Sequence, residues 1–391
     1  MSASPAAAVP HRVELDAAAS APVSATATQA WSAAAPDGWA DVRALHATGA
    51  TARRLLDAAR ESVARLTGVT ADGVSFPPDH VRALHAAVLG CGPPGGRADG
   101  AVVVSAVEHS AVHHAAAWSA SRTGAEVRTV GVDAQGHLDL RSLRQAVAEA
   151  RVVCVQHANV EIGTAQDLPA VHAVCREAGV PLVVDAGASL GHLRVPDSWD
   201  VLVASPRAWG STPGVGLLAM RPGVRWRPHE PGEAGASRRP GEQPGALDVP
   251  AALAAAVTLQ EVLAGPIGVD DPRHRLVDRV RDAAGRVPDT VVVGDPVTRL
   301  PHVLTLSALY VPGEELVRRL DAEGFSVASG SACTADTLRP SHVLAAVRTL
   351  THGNVRLGLP RGTREEDVNR FCEVLPRVVD GLRRELGAVD L

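Results

Sequence analysis

The chain has 391 residues, 46% of them hydrophobic, which is long enough for two domains with a substantial core. Its formal net charge is −5 and its basic residues are dispersed, which argues against a nucleic-acid partner or an anionic membrane surface. No apolar run approaches the roughly 20 residues that span a bilayer. The N-terminus lacks the charged start and long apolar centre of a signal peptide, so we expect a soluble, cytoplasmic protein.

The cysteines indicate neither a disulfide framework nor a metal site. Five of them are scattered along the chain without any CxxC pair, namely Cys91, Cys154, Cys175, Cys333 and Cys372. Disulfide-rich domains and zinc sites both need closely spaced cysteines. We therefore expect no metal, and any role for a cysteine would depend on its thiol chemistry.

Short apolar runs that alternate with helical patterns predict the fold class of the first two thirds of the chain. Residues 1–12 are low in complexity and are expected to be disordered, and residues 51–66 show the spacing of an amphipathic helix. Six later runs lack polar alternation, and helical patterns separate several of them: 101–105, 127–130, 152–155, 182–184, 201–204 and 217–220. Such strands are typical of an α/β fold whose mainly parallel sheet is covered on both faces.

The C-terminal third has a different pattern and predicts a second, smaller unit. Apolar runs at 290–293, 303–306, 325–328 and 354–357 are separated by helical patterns, the last of which covers residues 364–384. This order predicts an α+β layer. We therefore divide the chain into a disordered segment at 1–12, a large domain at 13–254 and a small domain at 255–391.

Polar residues follow three of the predicted parallel strands, at the sheet edge where ligands collect. His109 lies in VSAVEHSAV, Asn159 in VQHANVEIGT and Asp185 in VVDAGASLG. Each alone has a structural interpretation, since a single histidine is usually structural and an aspartate after a strand often caps a turn. Together, in this order and spacing, they resemble the cysteine desulfurases of the class V aminotransferase family, which bind pyridoxal 5′-phosphate (PLP) in a fold type I large domain with a seven-stranded sheet.

The resemblance assigns a role to each of these residues. His109 would stack on the PLP ring, Asn159 would contact cofactor and substrate, and Asp185 would keep the pyridine nitrogen protonated. In GNVRLGLPRGT, Arg356 would bind the substrate carboxylate through its planar guanidinium. In SVASGSACTADTLRPSHVL, Cys333 matches the cysteine that attacks the substrate sulfur and carries the persulfide.

The stretch DVLVASPRAWGSTPGVG departs from the family where the cofactor should be anchored. The family ends this strand with Ser-x-His-Lys, and its lysine holds PLP as a Schiff base. Here Ala208 takes the lysine position, and Val203 and Arg207 are assigned to the positions of the serine and the histidine. The sequence contains no lysine at all, so all 38 basic residues are arginines, which cannot form the imine.

The phosphate-binding turn also departs from the family pattern, Thr-x-Gly-x-Thr-Glu. In VSFPPDHVRAL, Pro77 and Pro78 replace the glycine and its neighbour and remove two N–H donors, and Asp79 replaces the phosphate-binding threonine. A carboxylate about 4 Å from a phosphate would cost on the order of 4 kcal/mol per unit charge at an effective dielectric near 20. Asp79 is better suited to capping a helix N-terminus, although an unusual ligand site is the alternative.

Three functions remain compatible with the sequence. The first is a cysteine-desulfurase homologue that works in sulfur transfer without PLP, as an accessory or partner protein, with Cys333 carrying sulfur. The second is an active desulfurase that binds PLP non-covalently through His109, Asp185 and Arg207. The third is a structural or regulatory pseudoenzyme. The family resemblance implies a two-fold dimer, either with itself or with an active desulfurase, and a sulfur-acceptor protein as a further partner.

Overall fold

A computed structural model describes residues 12–92, 100–229, 239–242, 247–329 and 340–388. The predicted loop cysteine, Cys333, and the N-terminal segment 1–11 lie outside these residues. The strands of the described chain are β1 Val13–Glu14, β2 Val74–Ser75, β3 Cys91–Gly92, β4 Ala101–Ser105, β5 Val127–Val130, β6 Ala150–Gln156, β7 Leu182–Asp185, β8 Val201–Ala204, β9 Leu217–Met220, β10 Arg225–Trp226, β11 Thr290–Val293, β12 Val303–Ala308, β13 Phe325–Ser326 and β14 Asn354–Gly358.

The helices surround these strands. They are α1 Ala25–Gly38, α2 Ala47–Thr67, α3 His80–Gly90, α4 Ser110–Thr123, α5 Leu140–Ala146, α6 Leu168–Glu177, α7 Val249–Ala264, α8 Pro272–Gly285, α9 Gly313–Ala322, α10 His342–Ala346 and α11 Glu365–Glu385. In the described part of the chain, none of them is long and apolar enough to cross a membrane.

A seven-stranded sheet forms the centre of the larger part, in the order β2-β9-β8-β7-β6-β4-β5. Strands β8, β7, β6, β4 and β5 pair in parallel, whereas β9 is antiparallel to both β8 and β2. The four parallel strands β4, β6, β7 and β8 are buried along their whole length. This confirms the predicted mainly parallel seven-stranded sheet, and the buried strands explain why the apolar runs showed no polar alternation.

Two separate apolar clusters cover the faces of this sheet. One packs α2, α6 and α7 against one face, and the other packs α3 and α4 against the opposite face. Burial of apolar surface on both sides holds the carboxyl ends of the parallel strands in a fixed arrangement. Polar residues that follow these strand ends therefore meet at one edge of the sheet.

A second sheet of three antiparallel strands, in the order β11-β12-β14, lies in the C-terminal part. Its core is built with α8, α9 and α11, and the T-shaped pair Phe325 and Phe371 lies within it. Strand β1 pairs in parallel with β13 in a separate two-stranded sheet, and Val13 and Leu15 pack into the core of the C-terminal part. This agrees with the predicted α+β layer, whereas the exact domain limits at 254 and 255 stay predictions.

Candidate functional site

A cavity of about 110 Å³ opens where the carboxyl ends of β4, β6, β7 and β8 meet the C-terminal sheet. Several of the strand-end residues predicted from the sequence contribute to its wall, together with residues of α10 and β14: His109, Asn159, Asp185, His342 and Arg356. The sheet topology brings them together because parallel strands end at the same edge. The structure therefore brings these predicted residues to one cavity, whereas their forming a functional site and their chemical roles remain predictions.

Asp185 is the last residue of β7, and its carboxylate has two donors on one oxygen. The backbone N–H of Gly187 donates to Oδ1 over 2.7 Å, and Nε2 of His80 lies 2.8 Å from the same atom. Burial raises the pKa of Asp185, but nearby His80, its hydrogen bond and His109 lower it, and the net pKa is below its usual value. Asp185 is therefore a buried carboxylate stabilised in its charged form.

His80 was not identified from the sequence, yet it lies at the centre of these contacts. It is the first residue of α3, and its ring meets that of His109 edge to face with centroids 5.4 Å apart. Asp79 caps the helix, since its side chain accepts a hydrogen bond of 2.8 Å from the N–H of Arg82. The capping interpretation of Asp79 is thus confirmed. The sequence signal for His80 was weak, because its partner Asp185 is 105 residues away.

Asn159 organises the loop after β6 with its side chain. Its Oδ1 accepts from the N–H groups of Glu161 and Ile162, each over 2.8 Å, and its Nδ2 donates to the carbonyl of Val107 over 3.0 Å. Both ends of the amide are engaged, so the residue holds the cavity wall in shape. In this structure its contacts are those of a positioning residue.

Two buried glutamates contribute further polar groups to the wall. Glu108 accepts the N–H of Gln156 over 2.7 Å, and Glu161 accepts the hydroxyl of Ser341 over 2.8 Å. In each carboxyl group the second oxygen is buried and has no partner in the structure. Burial raises the pKa of Glu161 despite that hydroxyl and Arg356, and it raises the pKa of Glu108 well above its usual value.

Arg356 lies on β14 with its side chain almost fully buried. One terminal nitrogen is 3.3 Å from Oδ1 of Asp16, and Nε has no partner. The guanidinium thus retains a donor at the cavity wall, which agrees with its predicted role towards a carboxylate without testing it. An incoming carboxylate would compete with Asp16 for the same group.

The region around Ala208 offers little to a cofactor. Ala208 is completely buried, its carbonyl accepts from His192 Nε2 over 2.9 Å, and Arg207 is exposed. As far as the described residues define the cavity, neither lines it. The assignment of Val203 to the family's serine is wrong, because Val203 is buried inside β8. Ser205, three residues before Ala208, lines the cavity instead.

These residues do not fit PLP bound as in a Schiff-base enzyme. The sequence contains no lysine, so no side chain can form the imine. Pro77 and Pro78 bring no N–H to the phosphate side, and Oδ1 of Asp185 is already contacted by His80. The described residues also contain no group of three or more histidines, cysteines or acidic residues able to hold a metal ion.

Comparison with known proteins gives the ancestry of this site. The family profile "Aminotransferase class-V" matches residues 13–371. Cysteine desulfurase IscS 1 of Archaeoglobus fulgidus is 33% identical over 347 residues, which cover 87% of this chain and 89% of that protein. A cysteine desulfurase of Cereibacter sphaeroides is 30% identical over 384 residues, which cover 95% and 97%.

Solved structures agree with these matches at the level of the fold. A NifS-like protein has a TM-score of 0.82 at 22% identity, and the match covers 95% of this chain and all of that one. The apo structure of a cysteine desulfurase from Thermococcus onnurineus NA1 also has a TM-score of 0.82, at 20% identity, with 95% of each chain covered. From the profile match over most of its length, the chain belongs to the class V aminotransferase family, as a cysteine desulfurase-like protein.

Proposed function

We propose that this protein works in sulfur mobilisation without PLP chemistry, as an accessory or partner protein of an active cysteine desulfurase, with Cys333 as a persulfide carrier. The observation that supports this most directly is the buried Ala208 at the Schiff-base position of a chain that contains no lysine. A PLP enzyme of this family needs that amine twice, to hold the cofactor and to move the α-proton of the substrate.

Two further contacts support the proposal. Nε2 of His80 already lies 2.8 Å from Oδ1 of Asp185, so a pyridine nitrogen could use that oxygen only by displacing His80. Arg356, in contrast, lines the cavity and has a buried Nε without a partner, and we expect it to bind a carboxylate-bearing compound although the family's carbon–sulfur chemistry has been lost. Sulfur transfer itself needs only a reactive thiolate that reaches donor and acceptor in turn.

The first experiment separates this function from catalysis with non-covalently bound PLP. Purified protein is titrated with PLP while its visible absorption is recorded, and alanine and sulfide released from L-cysteine are measured. We expect no protein-bound cofactor band and no alanine above a blank without protein. A band together with alanine release at many turnovers per protein would refute the proposal and establish the enzyme.

The second experiment separates sulfur transfer from a purely structural or regulatory role. The protein is incubated with an active cysteine desulfurase, PLP and L-cysteine, and persulfide is detected on the chain by mass spectrometry. We expect persulfide on the wild type and on Cys372→Ser, which serves as the matched control, and none on Cys333→Ser. Equal labelling of wild type and Cys333→Ser would exclude Cys333 as the carrier.

The partner remains part of the proposal. Analytical ultracentrifugation of this protein alone and mixed with an active desulfurase distinguishes a homodimer from a heterodimer. A mixed species at the mass of one chain of each protein supports the accessory role. Two separate homodimers in the mixture would leave transfer between independent proteins as the mode of action.

A further inference from the structure

The imidazole of His80 contacts both groups that would otherwise face a bound aromatic ring. Its Nε2 lies 2.8 Å from Asp185 Oδ1, and its ring meets the His109 ring at an interplanar angle of 75° with centroids 5.4 Å apart. All three residues line the same cavity. His80 thus contacts a carboxylate and an aromatic ring at the same time. A bound heteroaromatic ring with an N–H donor would make the same two contacts.

The local backbone brings His80 to this position. Asp79 caps α3 and makes His80 its first residue, while the N–H of Gly216 donates to the carbonyl of Pro77 over 2.7 Å. A Cβ on Gly216 would clash with the backbone of Asp79, so the close crossing of the two segments requires a glycine there. Since proline fixes φ, the two prolines before Asp79 further restrict the backbone conformation of the segment that leads into α3.

On the other side of the imidazole, the backbone of Gly187 leaves just enough space for the ring. A Cβ on Gly187 would lie 2.5 Å from Nε2 of His80 and 2.8 Å from Oδ1 of Asp185. Only glycine therefore allows the ring to reach the carboxylate while the Gly187 N–H donates to the same oxygen. Helix α3 and the turn after β7 therefore both position the contact between His80 and Asp185.

The charge of Asp185 gives the physical reason for this arrangement. A carboxylate buried as deeply as Asp185 is costly without a hydrogen-bonded, positively polarised partner. We propose that His80 is that partner and takes the place of the cofactor ring, so that it closes the ancestral site to pyridine-type ligands independently of the missing lysine. The inference rests on the proposed cofactor-free function, but it concerns a different residue.

Binding of pyridoxamine 5′-phosphate tests this inference, because this probe has no aldehyde and cannot form an imine. Its affinity is measured by isothermal titration calorimetry for wild type, His80→Ala and His342→Ala. His342 is the matched control, since it lines the same cavity but its Nε2 donates to the carbonyl of Glu108 over 2.9 Å instead of contacting Asp185. We expect His80→Ala to bind the probe at least tenfold more tightly than wild type and His342→Ala.

Rescue of His80→Ala by free imidazole is a second measurement, which depends on the space that the His80 ring leaves in the variant. We expect millimolar imidazole to raise the melting temperature of His80→Ala and to leave wild type and His342→Ala unchanged. If His80→Ala does not fold, ¹⁵N-histidine spectra of wild type and His80→Gln replace it. We then expect the wild type to show one strongly downfield, slowly exchanging ring N–H that disappears in His80→Gln while those of the other histidines, such as His137 beside Asp295, remain.

The outcomes separate this inference from the proposed function. Wild type that binds the probe as tightly as His80→Ala overturns the inference and weakens the cofactor-free function as well. No binding by either protein overturns the inference alone, because the site would then be closed by something other than His80. An equal gain in affinity for the probe in His80→Ala and His342→Ala would also overturn the inference. The added cavity volume, and not the loss of the contact between His80 and Asp185, would then explain binding. In the spectra, the absence of the downfield proton from wild type would overturn it.

Discussion

The buried ion pair between Arg60 and Glu242 provides the most quantitative test of this structure. One terminal nitrogen of Arg60 lies 2.8 Å from each carboxylate oxygen of Glu242, whose side chain is 1% exposed. The N–H of Phe76 donates to the same carboxylate over 3.1 Å. The pair therefore ties α2 and the segment 239–242 to the chain four residues before His80.

Replacing Arg60 by methionine removes the charge that balances Glu242 but keeps most of the side-chain volume. Loss of one partner of a buried pair costs about 3–5 kcal/mol, so we expect the free energy of unfolding to fall by that amount. Replacing both residues by methionine removes the unpaired charge as well, and the N–H of Phe76 then lacks its carboxylate acceptor, which costs about 1–3 kcal/mol. The double variant should consequently be more stable than Arg60→Met alone.

The assay is guanidinium chloride unfolding followed by far-UV circular dichroism. Arg279→Met is the matched control, because Arg279 pairs with Glu365 at the surface, where both side chains are largely exposed. An exposed pair contributes about 1 kcal/mol or less, so this control should remain near wild type. A loss below about 1 kcal/mol in Arg60→Met, or a double variant no more stable than it, would refute the reasoning.

Three further predictions follow from buried groups. We expect the free energy of unfolding to fall as the pH drops from about 6.5 towards 4.5, because burial lowers the pKa of His113 and His157 to about 4, that of His192 to about 3, and that of His302 well below its usual value. The unfolded chain binds these protons first, so stability falls with pH, while the raised pKa values of Glu108 and Glu161 oppose part of the effect. A flat profile from denaturant unfolding at several pH values would contradict this. We expect Gly294→Ala to cost more than Gly124→Ala in the same assay. Both glycines have positive φ, but only at Gly294 would the new Cβ clash, with the carbonyl of Ile162, so equal losses would argue against that close approach. We expect Cys91 and Cys175 to resist a thiol-specific reagent at pH 8 in the native protein, since burial raises the pKa of each to about 12, and rapid labelling of either would contradict the structure.

The sequence alone was sufficient for the fold because its information is local and repeated. Buried parallel strands are short, continuously apolar runs, and six of the seven strands of the main sheet were predicted within a few residues from such runs alone. The family motifs then fixed the order in which His109, Asn159 and Asp185 follow those strands. The absence of lysine is likewise a property of composition and needed no coordinates.

Other features depended on contacts between distant segments. Val203 was assigned to the family's serine, although the spacing Ser-x-His-Lys that ends at Ala208 puts that serine at Ser205; the structure places Val203 inside a buried strand. Helix α1 was not predicted, since its small and polar residues give little amphipathic pattern. Arg60 and Glu242 lie 182 positions apart, so no local pattern could pair them.

What the sequence determined by itself is the fold class, the family and the loss of the amine that would hold the cofactor. What only the tertiary structure decided is how the protein compensates for that loss. His80 is an ordinary histidine in the chain, and it becomes the partner of Asp185 only when α3, β7 and two tightly packed glycines bring the two side chains within 2.8 Å. The physical reason is that a buried charge needs a partner in space, and spatial proximity across 105 residues is created by packing of the whole sheet.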